Sequence, residues 1–171
     1  MTIFDIERVL ATMEIIVDTR EQETEAYHER VKKFECGFEK RKLDFGDYSC
    51  KYFDISGEEK TLENHVVIER KMSIDELCTC FTKERKRFKA EFERAKEKGA
   101  KTYLIIEGAT WEKIYKGTYR SKLLPQALIA SLLAWSIRYN IQFIFCKAES
   151  TGKMIQDILY RELKNKLESE G

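Results

Sequence analysis

Three short apolar runs in this chain each end on an acidic residue, and nothing else in the sequence limits the fold as tightly. Met13 to Val17 runs into Asp18, the β-branched stretch His65 to Ile68 runs into Glu69, and Thr102 to Ile106 runs into Glu107. Apolar runs of this length are consistent with strands buried on both faces. Segments with helical spacing lie between them. Thr24 to Phe34 places Ala26, Tyr27, Arg30, Val31 and Phe34 at such intervals, and Ser73 followed by Glu76 is a capping box that starts a helix at Ile74. Phe81, Phe88, Phe92 and Ala95 continue a core-facing stripe. Alternating strands and helices predict an α/β sandwich around a mixed sheet.

The remaining elements fill in around that frame. Phe38 to Leu43 and Tyr48 to Phe53 read as strands with a turn over Asp44 to Asp47, and Ser56-Gly57-Glu58-Glu59 supplies another turn. Asp54 to His65 is longer than a tight hairpin needs and takes no assigned role. After Glu107 come a short helix from about Thr110, a longer one containing Ala127 to Tyr139, a strand over Ile141 to Phe145 and a last helix from Ser150. Pro125 is the only proline, and no repeat, low-complexity tract or Ser/Gly-rich linker divides the chain. At 171 residues, a single domain spanning residues 1–171 with its core at about 14–163 is expected.

Charge decides less by its sum than by its placement. Charged residues make up 36% of the chain, yet 31 basic and 30 acidic side chains nearly cancel. Residues 1–30 are rich in acid, whereas Lys83 to Lys101 holds nine basic against four acidic residues. With the phenylalanine stripe facing the core, Lys83, Lys86, Arg87, Arg94 and Lys101 point largely outward. Two readings of that surface stand: a solvated helix face and a phosphate-binding one. Five cysteines, an odd number without paired C-x-x-C spacing, and two isolated histidines argue for reduced thiols and against a structural zinc site. No signal-like N-terminus or membrane-spanning run is present, so an intracellular protein is expected, cytoplasmic in a prokaryote or virus and nuclear in a eukaryote.

The chemistry-bearing residues stand at strand ends. Asp47 begins one strand, and Glu69 and Lys71 lie on the next, joined by a connection that pairs the two antiparallel. Side chains alternate along a strand, so Glu69 and Lys71 share a face. Asp47 and Glu69 offer the hard oxygen ligands that Mg²⁺ or Mn²⁺ takes, and Lys71 can orient or help deprotonate water and neutralise charge on a phosphate. In a chain this rich in charge, an acid followed by Glu-x-Lys is a weakly specific signal on its own.

The surrounding residues make it specific. Ile15-Ile16-Val17-Asp18-Thr19-Arg20-Glu21, Leu43-Asp44-Phe45-Gly46-Asp47-Tyr48 and Val67-Ile68-Glu69-Arg70-Lys71-Met72-Ser73-Ile74-Asp75 occur in order. Together they resemble the nuclease domain of the XPF/ERCC4 family, the last carrying its ERK-x-x-x-D signature. Arg87-Phe88, Tyr103 to Glu107 and Ala127 to Tyr139 match more loosely, so the resemblance spans about Glu14 to Leu163. It implies a restriction-endonuclease-like fold, a three-layer α/β/α sandwich with a central mixed sheet, and divalent-metal cleavage of DNA near flaps, forks or junctions.

Carried over position by position, the resemblance assigns Asp18, Asp47 and Glu69 as metal ligands and Lys71 as the catalytic lysine. Arg20, Glu21, Arg70 and Asp75 match supporting motif positions. Arg20 and Arg70 either contact phosphate or hold the acids, and Asp75 either fixes the helix behind the site or only favours its first turn. Glu107 is a second-tier candidate, and Gly46 provides a tight turn. The helix-hairpin-helix and helicase elements common in the family have no counterpart here. The basic helix, through Lys83, Lys86, Arg87 and Arg94, then becomes the main expected DNA contact, with a separate targeting protein a further expected partner. The segment Leu123 to Tyr139 is apolar nearly all round, as a fully buried helix is, while the resemblance implies a homodimer through this helix 123–139 and the following strand. Two alternatives to a structure-selective endonuclease stay open: a catalytically silent nuclease-fold subunit that binds DNA or a partner, and a nuclease for RNA or unbranched DNA.

Overall fold

The computed structural model describes residues 1–170. Seven strands form one mixed sheet: β1 (Glu14–Val17), β2 (Gly37–Lys40), β3 (Tyr48–Phe53), β4 (Glu59–Thr61), β5 (Val66–Lys71), β6 (Lys101–Glu107) and β7 (Ile141–Cys146). Their order is β2-β1-β3-β5-β6-β7, with β4 paired to β3. Helices α1 (Ile3–Leu10), α2 (Glu25–Val31) and α7 (Ala148–Ser169) cover one face. On the other lie α3 (Ile74–Phe81), α4 (Arg85–Glu97), α5 (Trp111–Lys116) and α6 (Pro125–Tyr139). The result is the expected three-layer α/β/α sandwich, its strands hydrophobic towards both helical layers.

Each layer has its own core. Ile15, Val17, Tyr48, Cys50, Ile68 and Ile105 face α1, α2 and α7, where Ile155, Leu159 and Leu163 meet them. Gly152 lets α7 approach α2: a Cβ there would stand 2.2 Å from the Arg30 carbonyl oxygen. Opposite, Leu104 and Ile106 pack on an aromatic cluster centred on Trp135, whose ring is 4.8 Å from Phe81, 5.4 Å from Phe88 and 5.6 Å from Phe92. All five cysteines are free thiols. Among the described residues no helix is long and apolar enough to cross a membrane.

Several elements depart from the sequence reading. A helix, α1, precedes β1; its start is fixed by a capping box between Thr2 and Asp5, whose three-residue spacing the sequence does carry. Strand β2 does not meet β3 across the 44–47 turn. It pairs in parallel with β1, and residues 41–47 cross over the end of β1 to reach β3 on its far side. The acid-rich segment after Phe53 is a turn, in which Asp54 accepts hydrogen bonds from the backbone of Ser56 and Glu58, followed by the extra strand β4. Helices α3 and α4 are separate, because Thr82 breaks the path and returns its hydroxyl to the Cys78 carbonyl. Helix α6 is not buried all round: Leu128, Leu132, Trp135 and Tyr139 face inward, while Leu133 and Ile137 are 48% and 85% exposed.

Candidate active site

The backbone first brings the motif segments together. The Asp18 N–H donates to the Asp47 carbonyl at 2.8 Å, and the Asp47 N–H donates to the Ile68 carbonyl at 2.8 Å. Three sequence-distant acids, Asp18, Asp47 and Glu69, therefore end on adjacent strands β1, β3 and β5. Gly46 sits at φ +74°, and a Cβ on it would come within 2.9 Å of the Val67 Cβ, so the turn before Asp47 admits only glycine without strain.

Strand alternation then sorts the signature residues of β5 onto opposite faces. Glu69 and Lys71 turn toward α4, where Lys71 Nζ donates to Glu69 Oε1 at 2.5 Å and lies 5.2 Å from the Phe88 ring centroid. Arg70 turns toward α7, and its Nε and Nη2 each donate at 2.8 Å to one oxygen of Glu107. Its backbone N–H, however, donates to Asp47 Oδ2 at 2.8 Å on the cleft side. Arg70 thus holds both acids, one by its side chain and one by its main chain. Glu107, at the tip of β6, also accepts the Thr151 hydroxyl at 2.7 Å and is consumed in this brace.

A cleft of about 730 Å³ opens over these residues, lined among others by Arg20, Asp47, Glu69, Lys71, Arg87 and Glu91. Asp47 is half-buried there; withdrawal from water and the neighbouring Glu69 push its carboxyl well above the usual range. Glu69 is raised as well, chiefly by burial, although Lys71 opposes the shift. Burial alone would depress Lys71, but Glu69 and Asp47 together raise it, so it is a cation throughout the neutral range. Two desolvated carboxylates side by side are the donor chemistry that a divalent cation relieves. Among the described residues, no group of three or more His, Cys, Asp or Glu side chains is arranged to hold a metal. Asp47 and Glu69 are the cleft carboxylates that could hold a divalent cation such as Mg²⁺, which commonly binds one or two carboxylates and fills its shell with water and phosphate.

The other motif acids are engaged elsewhere. Asp18 is fully buried, and its two oxygens take the Leu43 N–H at 2.7 Å and the Arg20 N–H and Nε at 2.8 and 2.6 Å. Glu21 accepts from Arg30 Nη2 at 2.8 Å and from the Tyr48 hydroxyl at 2.6 Å. Asp75 faces the α5–α6 connection, where it accepts the backbone N–H groups of Arg120 and Ser121. Arg20 remains half exposed at the cleft, 3.7 Å from Glu91. Of the basic helix, Arg87 lines the cleft, Lys83 and Lys86 face solvent, and Arg94 is turned to the Asp44 carbonyl at 3.2 Å. Glu91 was missed by sequence reasoning, although its place is legible: Phe88, Glu91, Phe92 and Ala95 are spaced i, i+3, i+4, i+7, the face that carries the buried stripe.

The chain is similar in fold to known proteins. XPF from Aeropyrum pernix superposes with a TM-score of 0.60 at 20% identity, covering 85% of this chain and 59% of that one. The same protein in complex with DNA gives 0.61 at 21% identity, covering 90% of this chain and 65% of its own length. The chain thus spans less than two thirds of these structures, and it shares with them the restriction-endonuclease-like fold of XPF nuclease domains. No curated protein sequence matches. The ERCC4 domain, in contrast, matches residues 17–158, from the last residue of β1 to the middle of α7, and the chain belongs to the ERCC4 domain family.

Proposed function

We propose that the chain is a divalent-metal-dependent DNA endonuclease that hydrolyses phosphodiester bonds near flaps, forks or junctions. The observation that carries this reading is the convergence of Asp47, Glu69 and Lys71, from two antiparallel strands, in one open cleft. Asp47 and Glu69 hold Mg²⁺ or Mn²⁺. When bound there, the ion supplies Lewis-acid polarisation of the phosphate and a more acidic water. Lys71, a cation in contact with Glu69, neutralises charge that builds on the phosphate and is not the base. Asp18 acts through Arg20, presenting that guanidinium at the cleft while fixing the 41–47 crossover through the Leu43 N–H.

DNA enters along the exposed cations at the start of α4, with Lys83 in the turn before it and Lys86 and Arg87 in its first turn as phosphate contacts, and Arg94 steadying the crossover. Residues 1–171 act as one domain with its core at about 14–163. A homodimer forms through α6 and β7, a reading supported by the exposed apolar side chains Leu124, Leu133 and Ile137 beside an edge strand. A separate protein targets the dimer to branched DNA.

Cleavage of flap, fork, junction, linear-duplex and single-stranded DNA, and of RNA, with Mg²⁺, Mn²⁺ or chelator, tests the reading. Metal-dependent cutting of branched DNA, abolished by Asp47→Ala or Glu69→Ala in folded protein, is the expected result. A folded wild-type protein that cuts none of the substrates sinks it. The engaged oxygens of Asp18 and the lack of a three-ligand group among the described residues favour a second reading in that event, a silent nuclease-fold subunit that binds DNA or a partner.

A further inference from the structure

We propose that Asp75 is a positioning residue that pins the α5–α6 connection as a second phosphate-binding surface, so that nucleic acid is held beside the cleavage cleft as well as in it. The proposal rests on the DNA-nuclease reading and adds to it a substrate-holding element.

Asp75 opens α3 four residues after Lys71, but Met72 and Glu76, not Asp75, line the cleft. Its Oδ1 accepts the backbone N–H groups of Arg120 at 2.8 Å and Ser121 at 2.7 Å, and its Oδ2 stands 3.4 Å from Arg120 Nε. Further bonds stiffen the same segment: Thr118 N–H to the Lys113 carbonyl at 2.9 Å, and the Tyr119 hydroxyl to the Leu123 carbonyl at 2.8 Å.

The surface so held is cationic. Lys113, Lys116, Arg120 and Lys122 are exposed, Arg120 at 93% of its side chain, with Tyr115 exposed among them. In a chain with 30 acidic residues, no Asp or Glu occurs between Glu112 and Glu149. Among the described residues, Lys116 and Lys122 form no ion pair, and Arg120 has only Asp75. A surface whose cations outnumber their counter-ions, Glu112 and Asp75, beside an exposed aromatic is matched to a polyanion with stacking bases. Asp75 is four residues from Lys71, a reach of at most about 14 Å, so the connection it pins is anchored beside the cleft.

Binding of the full chain to a labelled DNA fork, followed by anisotropy across a salt series in chelator, tests this, with cleavage measured in parallel. The Lys116→Gln/Arg120→Gln/Lys122→Gln variant should lower the salt slope by about 2 to 3, since each phosphate contact contributes about 0.9, without lowering the melting temperature. Asp75→Ala should reduce the slope too, and Asp75→Asn, which keeps the oxygen for both backbone N–H groups, should restore most of it. If Asp75→Ala fails to fold, the triple variant carries the test. A triple variant with the wild-type slope, in a protein that cuts DNA, overturns this inference alone and leaves the loop to a protein partner. Wild-type protein that neither binds nor cuts overturns the nuclease reading with it.

Discussion

The pair formed by Arg70 and Glu107 gives the sharpest test of what the signature arginine does. Both hydrogen bonds measure 2.8 Å, and the side chains are only 13% and 7% exposed. Glu107→Ala leaves a guanidinium in that position without its counter-charge, a change that costs about 3 to 5 kcal/mol for buried pairs. In a chain of this size each kcal/mol moves the melting temperature by about 2 to 4 °C, so a fall of roughly 6 to 20 °C is expected. Arg70→Met should cost less, because Glu107 keeps the Thr151 hydroxyl at 2.7 Å. Joining the two as Arg70→Met/Glu107→Leu removes both charges together, and stability should return to within about 1 kcal/mol of wild type.

Thermal and urea unfolding of wild type, Arg70→Met, Glu107→Leu and the double variant give the coupling energy by a double-mutant cycle. Acid unfolding adds a signed check. Burial alone would raise the Glu107 carboxyl, but Arg70 and Thr151 outweigh it and hold it below the usual range. A depressed folded value means that this stabilisation is complete above the unfolded carboxyl's pKa of about 4.3 and is lost as pH falls through the lower folded value. The double variant should therefore lose less stability in that acid window. Because the Arg70 side chain faces away from Glu69 and Lys71, and its main-chain N–H to Asp47 survives substitution, the double variant should cut within about tenfold of wild type, a loss of at most about 1.4 kcal/mol. Single variants costing under about 1 kcal/mol would refute the energetic argument. A stable but inactive double variant would refute the assignment of Arg70 as a brace.

Three further outcomes follow from the geometry. Gly46→Ala should destabilise by about 1 to 3 kcal/mol, because φ is +74° and the new Cβ would crowd Val67, and urea unfolding would register it. Lys86→Glu/Arg87→Glu should weaken DNA binding and flatten its salt dependence, readable by anisotropy in chelator, while circular dichroism stays unchanged. Ile137→Glu should shift the proposed dimer to monomer in sedimentation; wild-type protein that is monomeric at every concentration would remove that interface from consideration.

What the sequence carried well was anything settled by local period. The buried strands β1, β5 and β6, the Ser73 cap of α3 and the Phe88-Phe92-Ala95 stripe follow from spacing that tertiary contacts do not override. The antiparallel meeting of Asp47 with Glu69 was legible because the segment between them returns the chain beside β3, although the extra strand β4 within it was not. Strand order was not. Nothing in residues 37–43 tells whether β2 pairs across the turn with β3 or in parallel with β1, since both partners offer the same backbone groups. The exposed side of α6 was hidden for a related reason: an apolar helix looks the same whether its second face meets the core or water.

The same limit explains why the motif alone could not divide its acids by task. Asp18, Asp75 and Glu107 share a pattern that only the folded chain reveals: in each, withdrawal from water would raise the carboxyl, yet the surrounding donors outweigh that and lower it. Those donors are backbone N–H groups of Leu43, Arg20, Arg120 and Ser121, or the side chains of Arg20, Arg70 and Thr151. A carboxylate so saturated is already spent on holding the chain. Asp47 and Glu69 move the opposite way: burial, with Glu69 beside Asp47 and Glu91 beside Glu69, is not offset by Lys71 and the single Arg70 N–H. Charge left uncompensated in a cleft marks a group kept for an external partner. By that criterion we propose Asp47 and Glu69 as the working pair, with Asp18, Asp75 and Glu107 bracing the chain around them.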